Sequence, residues 1–245
     1  MTPGLTQTWI RTLVVQASFN YDRLVGVGTA FAIEPLLRHL PGGADGNRFK
    51  GAMQRATQFF NAHPYMVGLA VGAVAKAEHE GLPDGAIRRL RHALIGPLGS
   101  IGDRLIWAGV LPASAGIGLV VTAVVSPVAG VLVFLGLFNG VHLALRTWAL
   151  REGWRLGTGV SQALTARGIQ RGLSLVGPVA ALCVGLALPV VGSWLARGFT
   201  SWTQLSVAAV ALVAIVFSRW IVPTFGGLRF GLAAAAIALV VGWAA

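Results

Sequence analysis

The sequence predicts an all-α, polytopic membrane protein, and three observations carry that prediction. Only 11% of the 245 residues are charged, against about 25% in an ordinary soluble domain, while 55% are hydrophobic. Such a chain has too little polar surface to stay in water. From Leu105 to Phe138 no residue is ionisable, a run longer than the roughly 20 residues one helix needs to cross a bilayer. The acidic residues also crowd into one end. Asp22, Glu34, Asp45, Glu78, Glu80, Asp84 and Asp103 all precede residue 104, and Glu152 alone follows. The expected organisation is one membrane domain over 1–245, with no Ser/Pro linker inside it. Residues 1–104 are its amphipathic and re-entrant region, and 105–245 carry about four to five spanning helices.

Taken in order, residues 5–19 set Leu5, Trp9, Leu13 and Phe19 among polar groups, a weak helical pattern suited to a membrane surface or a packed core. Leu24 to Leu37 is apolar except for Thr29 and Glu34, and too short to span. Leu40 to Gly46 is a turn, and Asn47 to Phe60 an amphipathic helix with Arg48, Lys50 and Arg55 on its polar side. Asn61-Ala62-His63-Pro64 breaks it, because Pro disfavours helical geometry at His63. Met66 to Ala75 suits a re-entrant segment. Ala86 to Leu94 is a helix with Arg88, Arg89 and Arg91, placed in the cytoplasm by the positive-inside rule. Gly96 to Asp103 reads as a second break. Segments at 105–122, 128–150, 173–196, 204–222 and 228–245 follow, with Trp194, Trp202, Trp220 and Trp243 near their ends as an aromatic belt would have them.

The formal charge of +11 would suggest nucleic acid in a soluble protein. No basic stripe interleaved with aromatics lies on a polar segment here, so no nucleic acid is expected, and Arg-rich loops facing anionic lipid explain the charge. Cys183 is a single cysteine in an apolar run and reads as a packing residue. Met1 to Gln16 shows no basic cluster followed by an apolar core and cleavage site, so no signal peptide is expected. Nothing resembles a nucleophile elbow, a His-Glu-x-x-His metal pair or a Gly-rich phosphate loop. A catalytic site, a metal and a cofactor are not expected.

Four runs carry a resemblance. Phe19-Asn20-Tyr21-Asp22-Arg23, Phe59-Phe60-Asn61-Ala62-His63-Pro64-Tyr65, Gly96-Pro97-Leu98-Gly99-Ser100-Ile101-Gly102-Asp103 and Phe138-Asn139-Gly140-Val141-His142-Leu143-Ala144-Leu145-Arg146 resemble landmarks of the enzyme IID subunit of the mannose/fructose/sorbose phosphotransferase system, in the same order over nearly the whole chain. The resemblance implies a multi-pass subunit of the cytoplasmic membrane that pairs with a membrane subunit IIC, in a trimer of IIC–IID pairs. It implies transport of a hexose that receives phosphate through IIA and IIB, the IID subunit itself not being phosphorylated. The chain departs from the family pattern at Leu111-Pro112, where an Arg-Pro pair is usual, at Glu34, where the residue is usually apolar, and in a short region between about 197 and 204. Those departures leave room for a facilitator or receptor not coupled to phosphotransfer.

A hexose needs short, fixed polar side chains in an otherwise dry pocket. Asn61, His63 and Asp103 supply them at the two breaks, with Glu34 and Asn20 as further candidates for the substrate site. The alternative is that Asn61 and Asp103 cap helix ends, His63 fixes a turn and Glu34 pairs with Arg38. Asn139, His142 and Arg146 fall at spacings of three and four and form a polar seam on one helix face. Arg88, Arg89 and Arg91 face a partner such as IIB, or lipid.

Overall fold

The computed structural model describes residues 3–195. The chain divides into two compact units, Met1–Val191 and Gly192–Ala245, and the description below concerns the first. The expected segments at 204–222 and 228–245, and Trp202, Trp220 and Trp243, lie outside the described residues.

The described residues are helical throughout, apart from short connections. In order they are α1 (Leu5–Thr12), α2 (Gly26–Leu37), α3 (Asn47–Ala56), α4 (Val67–His79), α5 (Asp84–Leu105), a π-helical turn (Ile106–Val110), α6 (Leu111–Val124), α7 (Pro127–Leu156), α8 (Ser161–Thr165) and α9 (Arg167–Leu195). Three stretches are long and apolar enough to cross a membrane: Asp84–Val124, Pro127–Gly159 and Arg167–Gly192. They overlap the first three spans expected after residue 105, at 105–122, 128–150 and 173–196, but the first begins already at Asp84.

Burial separates two layers. The buried apolar cluster runs from Val15 to Leu98 and resumes at Ala149 to Leu164. By contrast Val124, Val128, Leu132 and Leu135 on α6 and α7, and Leu175, Leu182 and Leu186 on α9, are exposed. At 1.5 Å per residue α7 is about 45 Å long, well beyond the roughly 30 Å of a hydrocarbon core. Its first half therefore belongs to the exposed apolar belt and its second half to the protein core.

The helix packed on that second half is α4, whose apolar residues from Val67 to Ala75 are all buried. Glycines make the approach possible. A Cβ on Gly68 would lie 2.9 Å from the Leu150 nitrogen, and one on Gly72 2.7 Å from the Leu150 carbonyl oxygen. Gly153 meets the backbone of Leu69 in return. Small residues at these positions let the two backbones touch. At 13 residues α4 is about 20 Å long, too short to span, and it is enclosed by protein.

The two expected breaks fare differently. The helix expected from Asn47 to Phe60 ends earlier, at Ala56, and α4 starts only at Val67, so the non-helical stretch covers 57–66 and includes the expected break. Gly96 to Asp103, expected as a second break, is instead continuous helix within α5. Pro97 removes one backbone donor, but Ala93, whose carbonyl loses it, lies on an exposed face where solvent can replace the bond. Gly96 and Gly99 have nothing within 4 Å of a built Cβ, so no neighbour forces them out of the helix. The irregularity sits one turn later, in the π-helical turn before Pro112.

The buried carboxylate of Glu78 is paired. Glu78, 4% exposed, receives Arg55 through both oxygens at 2.9 and 2.7 Å. Arg55 also reaches Asp84 at 2.7 Å, and Asp84 receives Arg88 at 2.8 Å. Burial works against the Arg55 charge, yet hydrogen bonds and attraction from Glu78 and Asp84 outweigh it and raise its pKa.

Candidate functional site

The helix break at Asn61–Pro64 creates a group of side chains centred on Tyr65. The His63 carbonyl accepts from Met66 and Val67 nitrogens at 2.9 and 3.1 Å, starting the turn into α4. Its imidazole Nδ1 accepts from the Tyr65 nitrogen at 3.2 Å. An Nδ1 that accepts leaves the proton on Nε2. That Nε2–H is buried and has no partner among the described residues. His63 itself is 3% exposed, and burial lowers its pKa to about 4; the Asp103 charge pulls it back up, and Arg146 pushes it further down.

Other elements bring rings and charge to the same place. Tyr65 packs edge-on against His63 at 4.9 Å between ring centres and against His142 of α7 at 4.7 Å. Phe138, one turn before His142, lies 6.2 Å from Tyr65, and Trp107 of the π-helical turn lies 5.6 Å from His63. Arg146 places its guanidinium 4.6 Å from the Tyr65 ring centre, a cation–π contact, and donates through Nη1 to the Thr12 carbonyl at the end of α1. Its Nε and the His142 Nδ1 are buried without a partner among the described residues. Three unpartnered polar atoms on three residues around one ring are costly unless a further group satisfies them. Trp107 and its neighbour Ala108 are exposed, as is Asp103, so the group opens to the surface along α5.

Gly102 explains how α5 approaches. A Cβ there would fall inside the van der Waals surface of the His63 side chain, well under the 3.0 Å that carbons do not cross. The His63 nitrogen also donates to the Leu98 carbonyl at 3.4 Å. Asp103 follows directly, near enough for its charge to act on His63.

Of the residues singled out in the sequence, His63, Asp103, His142 and Arg146 are therefore drawn to one place. Asn61 lies beside them in sequence and is exposed. Asn139 is not drawn in: its amide donates to the Leu135 carbonyl of its own helix at 2.7 Å. Glu34 is held by Arg11 at 2.6 Å and by Arg38, the helix-end pairing weighed for it in the sequence. Asn20 is spent on its own turn, accepting from the Arg23 nitrogen at 2.8 Å and donating to the Ser18 carbonyl at 3.1 Å. Arg88 and Arg89 face outward, whereas Arg91 does not. Its helical neighbours Ile87, Leu94 and Leu98 are buried, and Arg91 shares their face at 6% exposure.

Sequence reading missed Tyr65 as the hub and Trp107 as a wall. The signal was present in part: Phe134, Phe138, His142 and Arg146 recur every four residues along one helix face. No group of three or more His, Cys, Asp or Glu lies within metal-binding reach among the described residues.

Comparison with known proteins identifies the family of the chain. The family profile described as "PTS system mannose/fructose/sorbose family IID component" matches residues 3–222. The sorbose-specific EIID component of Klebsiella pneumoniae is 32% identical over 71% of this chain, and the match spans 65% of that relative's length. The fructose permease IID component of Bacillus subtilis is 29% identical over 76% of this chain and 71% of its own, and the mannose-specific EIID component of Escherichia coli K12 is 29% identical over 76% and 69%. A solved chain from the complex of the mannose transporter ManYZ with microcin E492 shares the fold, with a TM-score of 0.60 at 22% identity over 98% of this chain and 95% of that one.

Proposed function

Because the chain belongs to the IID components of the PTS mannose/fructose/sorbose family, an integral membrane group of sugar-transport subunits, we propose that it works with a IIC partner to bind and translocate a hexose whose entry is coupled to phosphorylation by IIB. The assembly is a trimer of IIC–IID pairs, with IIA feeding IIB. The subunit supplies binding groups and a path, and no catalytic residue.

The observation that carries this reading is the set of unpartnered buried polar atoms round Tyr65. His63 Nε2–H and Arg146 Nε–H are donors, and His142 Nδ1 takes either role according to its tautomer. A sugar hydroxyl both donates and accepts, so it can satisfy all three types. The Tyr65 and Trp107 rings offer apolar faces to the C–H side of a pyranose. Asp103 stands at the open side as an acceptor, and Asn61 adds an amide beside it. The location fits the task. The group lies where the exposed apolar belt of α6 and α7 gives way to the buried core, so a polar ligand there is enclosed by protein.

The test is reconstitution. The chain and its IIC partner are placed in vesicles with phosphorylated IIB inside, and labelled mannose, fructose, sorbose, glucose and amino sugars are offered outside. Sugar phosphate in the lumen, dependent on both membrane subunits, is the expected result. Free sugar in the lumen would make the chain a facilitator. No entry through a well-assembled complex would make it a receptor and remove the Tyr65 group from any sugar path.

A further inference from the structure

A second pocket, away from the Tyr65 group, is built for an anion. It occupies ≈ 110 Å³ between the end of α3 and the start of α5, lined by Gln58, Phe59, Arg88, Arg91, His92 and Ile95. No carboxylate lines it. In the neighbouring cleft, bounded by Arg48, Arg55, Glu78 and Asp84, Arg55 is paired with both carboxylates, and Asp84 reaches across to Arg88 as well.

Arg91 decides the matter. Its guanidinium is buried, stacked 5.0 Å from the centre of the Phe60 ring, and forms no ion pair among the described residues. Nη2 is spent on the Ala56 and Gln58 carbonyls, at 3.3 and 3.2 Å. Nε and Nη1 make no hydrogen bond among the described residues, and Arg91 lines the pocket. Glu78 cannot neutralise it at contact, because both Glu78 oxygens are taken by Arg55. A buried charge without a counter-ion is expensive. Arg88 stands on the same pocket, held by Asp84 and by the Gln58 side-chain oxygen at 3.1 Å, and the exposed imidazole of His92 stands one position after Arg91. Arg88 is already paired with Asp84, so the unmatched charge in the cavity is that of Arg91; with the Arg88 guanidinium and the His92 imidazole beside it as donors, it matches an oxyanion, which a phosphate monoester offers and a neutral sugar does not.

We propose that this pocket binds an organic phosphate monoester, with the phosphate on Arg88, Arg91 and His92 and the carbon skeleton against Phe59 and Ile95. Phe59 is half exposed, and together with Ile95 it gives the pocket an apolar wall that a bare inorganic ion leaves unused. A sugar phosphate is the organic monoester that the transport reading supplies at this protein, so the organic half of the proposal rests on that reading. The anion half does not.

Calorimetric titration of the purified complex with its IIC partner in detergent tests both halves, using hexose 6-phosphate, inorganic phosphate, sulfate and the neutral hexose. Hexose 6-phosphate should bind. The Arg88→Gln/His92→Gln variant, in which Arg91 keeps its packing, should weaken that binding roughly ten- to hundredfold while the melting temperature holds. Phe59→Ala should weaken hexose 6-phosphate and leave inorganic phosphate unchanged. A folded complex that binds no phosphate at about 10 mM, a millimolar-range limit well below ordinary specific affinity, overturns the proposal. So does binding that the double variant leaves intact. Inorganic phosphate binding as tightly as the ester, with Phe59→Ala silent, overturns the organic half. If these residues instead hold only phosphorylated IIB, the site is a protein-docking surface and the proposal fails. Vesicle uptake on the same preparation separates these failures from failure of the transport reading, because it scores sugar entry and not anion binding.

Discussion

Gly102→Ala is the sharpest probe of the Tyr65 group, because two opposing effects act on it and their sizes differ. Within α5, replacing Gly by Ala ordinarily stabilises a helix by about 1 kcal/mol. Here the added methyl would overlap the His63 Cβ and Cγ, and nothing lies between to absorb it. Overpacking of this kind costs about 1–3 kcal/mol, so the steric effect wins. Restoring an ordinary contact requires His63 or α5 to retreat by about 1 Å, and a misplacement of that size at a binding site can cost roughly a hundredfold in rate. The expected outcome is a complex that still assembles, melts a few degrees lower and takes up sugar about a hundredfold more slowly. Gly99→Ala is the control. It makes the same change three residues earlier on the same helix, with nothing within 4 Å, and should leave uptake unchanged while raising the melting temperature slightly. Gly102→Ala with wild-type uptake and wild-type melting would refute the argument that α5 presses on His63 and that His63 matters to the path.

Three further outcomes follow from the same structure. Arg55→Met should destabilise the complex by about 3–5 kcal/mol, because it strands the buried Glu78 carboxylate; Arg55→Met/Glu78→Leu should recover most of that loss in a thermal melt, and a double variant no better than the single one would show that the pair is not the cause. His63 is held neutral in the folded protein, with its pKa lowered to about 4, whereas the unfolded chain takes up a proton near 6.5. Stability should therefore be flat above pH 6.5 and fall by up to about 3 kcal/mol as pH drops toward 4, and His63→Gln should flatten that slope in melts taken across the range; an unchanged slope would place the titration elsewhere. Asp103→Asn should abolish sugar uptake in vesicles while co-purification with IIC stays intact, since the residue is exposed and makes no ion pair among the described residues; intact uptake would make Asp103 structural.

The distribution of apolar and charged residues made the spans legible, because length and hydropathy fix them with little help from packing. The non-helical stretch at Asn61–Pro64 was legible for a local reason, since Pro64 constrains His63 whatever surrounds it, but the end of α3 at Ala56 was not. The second expected break was misread because a Gly/Pro run says what the backbone permits, not what it does. Gly96, Pro97 and Gly99 stay helical since no neighbour opposes them and the freed carbonyl lies on an exposed face. Arg91 was misplaced with Arg88 and Arg89 because three arginines in four residues look like one charged patch, whereas 100° per residue turns one of them into the core. Tyr65 could not be recognised as a hub from one chain position, since its partners come from residues 63, 138, 142 and 146.

That convergence has a physical consequence for movement. Tyr65 is fixed by the loop before α4, His142 and Arg146 by α7, and Trp107 by the irregular turn that follows α5. Arg146 ties α1 to this group through the Thr12 carbonyl. Next to this group, α4 and the second half of α7 are locked together by glycine-mediated backbone contact at Gly68, Gly72 and Gly153. The α5 side meets His63 through Gly102 and the Leu98 carbonyl, and is followed by a π-helical turn whose hydrogen bonds are less regular than those of the helices it joins. If the group must open and close around a sugar, the rigid wall is α4 with α7 and the wall able to shift is α5 with Trp107. A π turn placed next to the contact that must loosen lets the lipid-facing α6 stay in register while α5 moves. Straightening that turn by deleting Ala108 should then leave sugar binding measurable and stop translocation, whereas a rigid-body mechanism would lose neither or both.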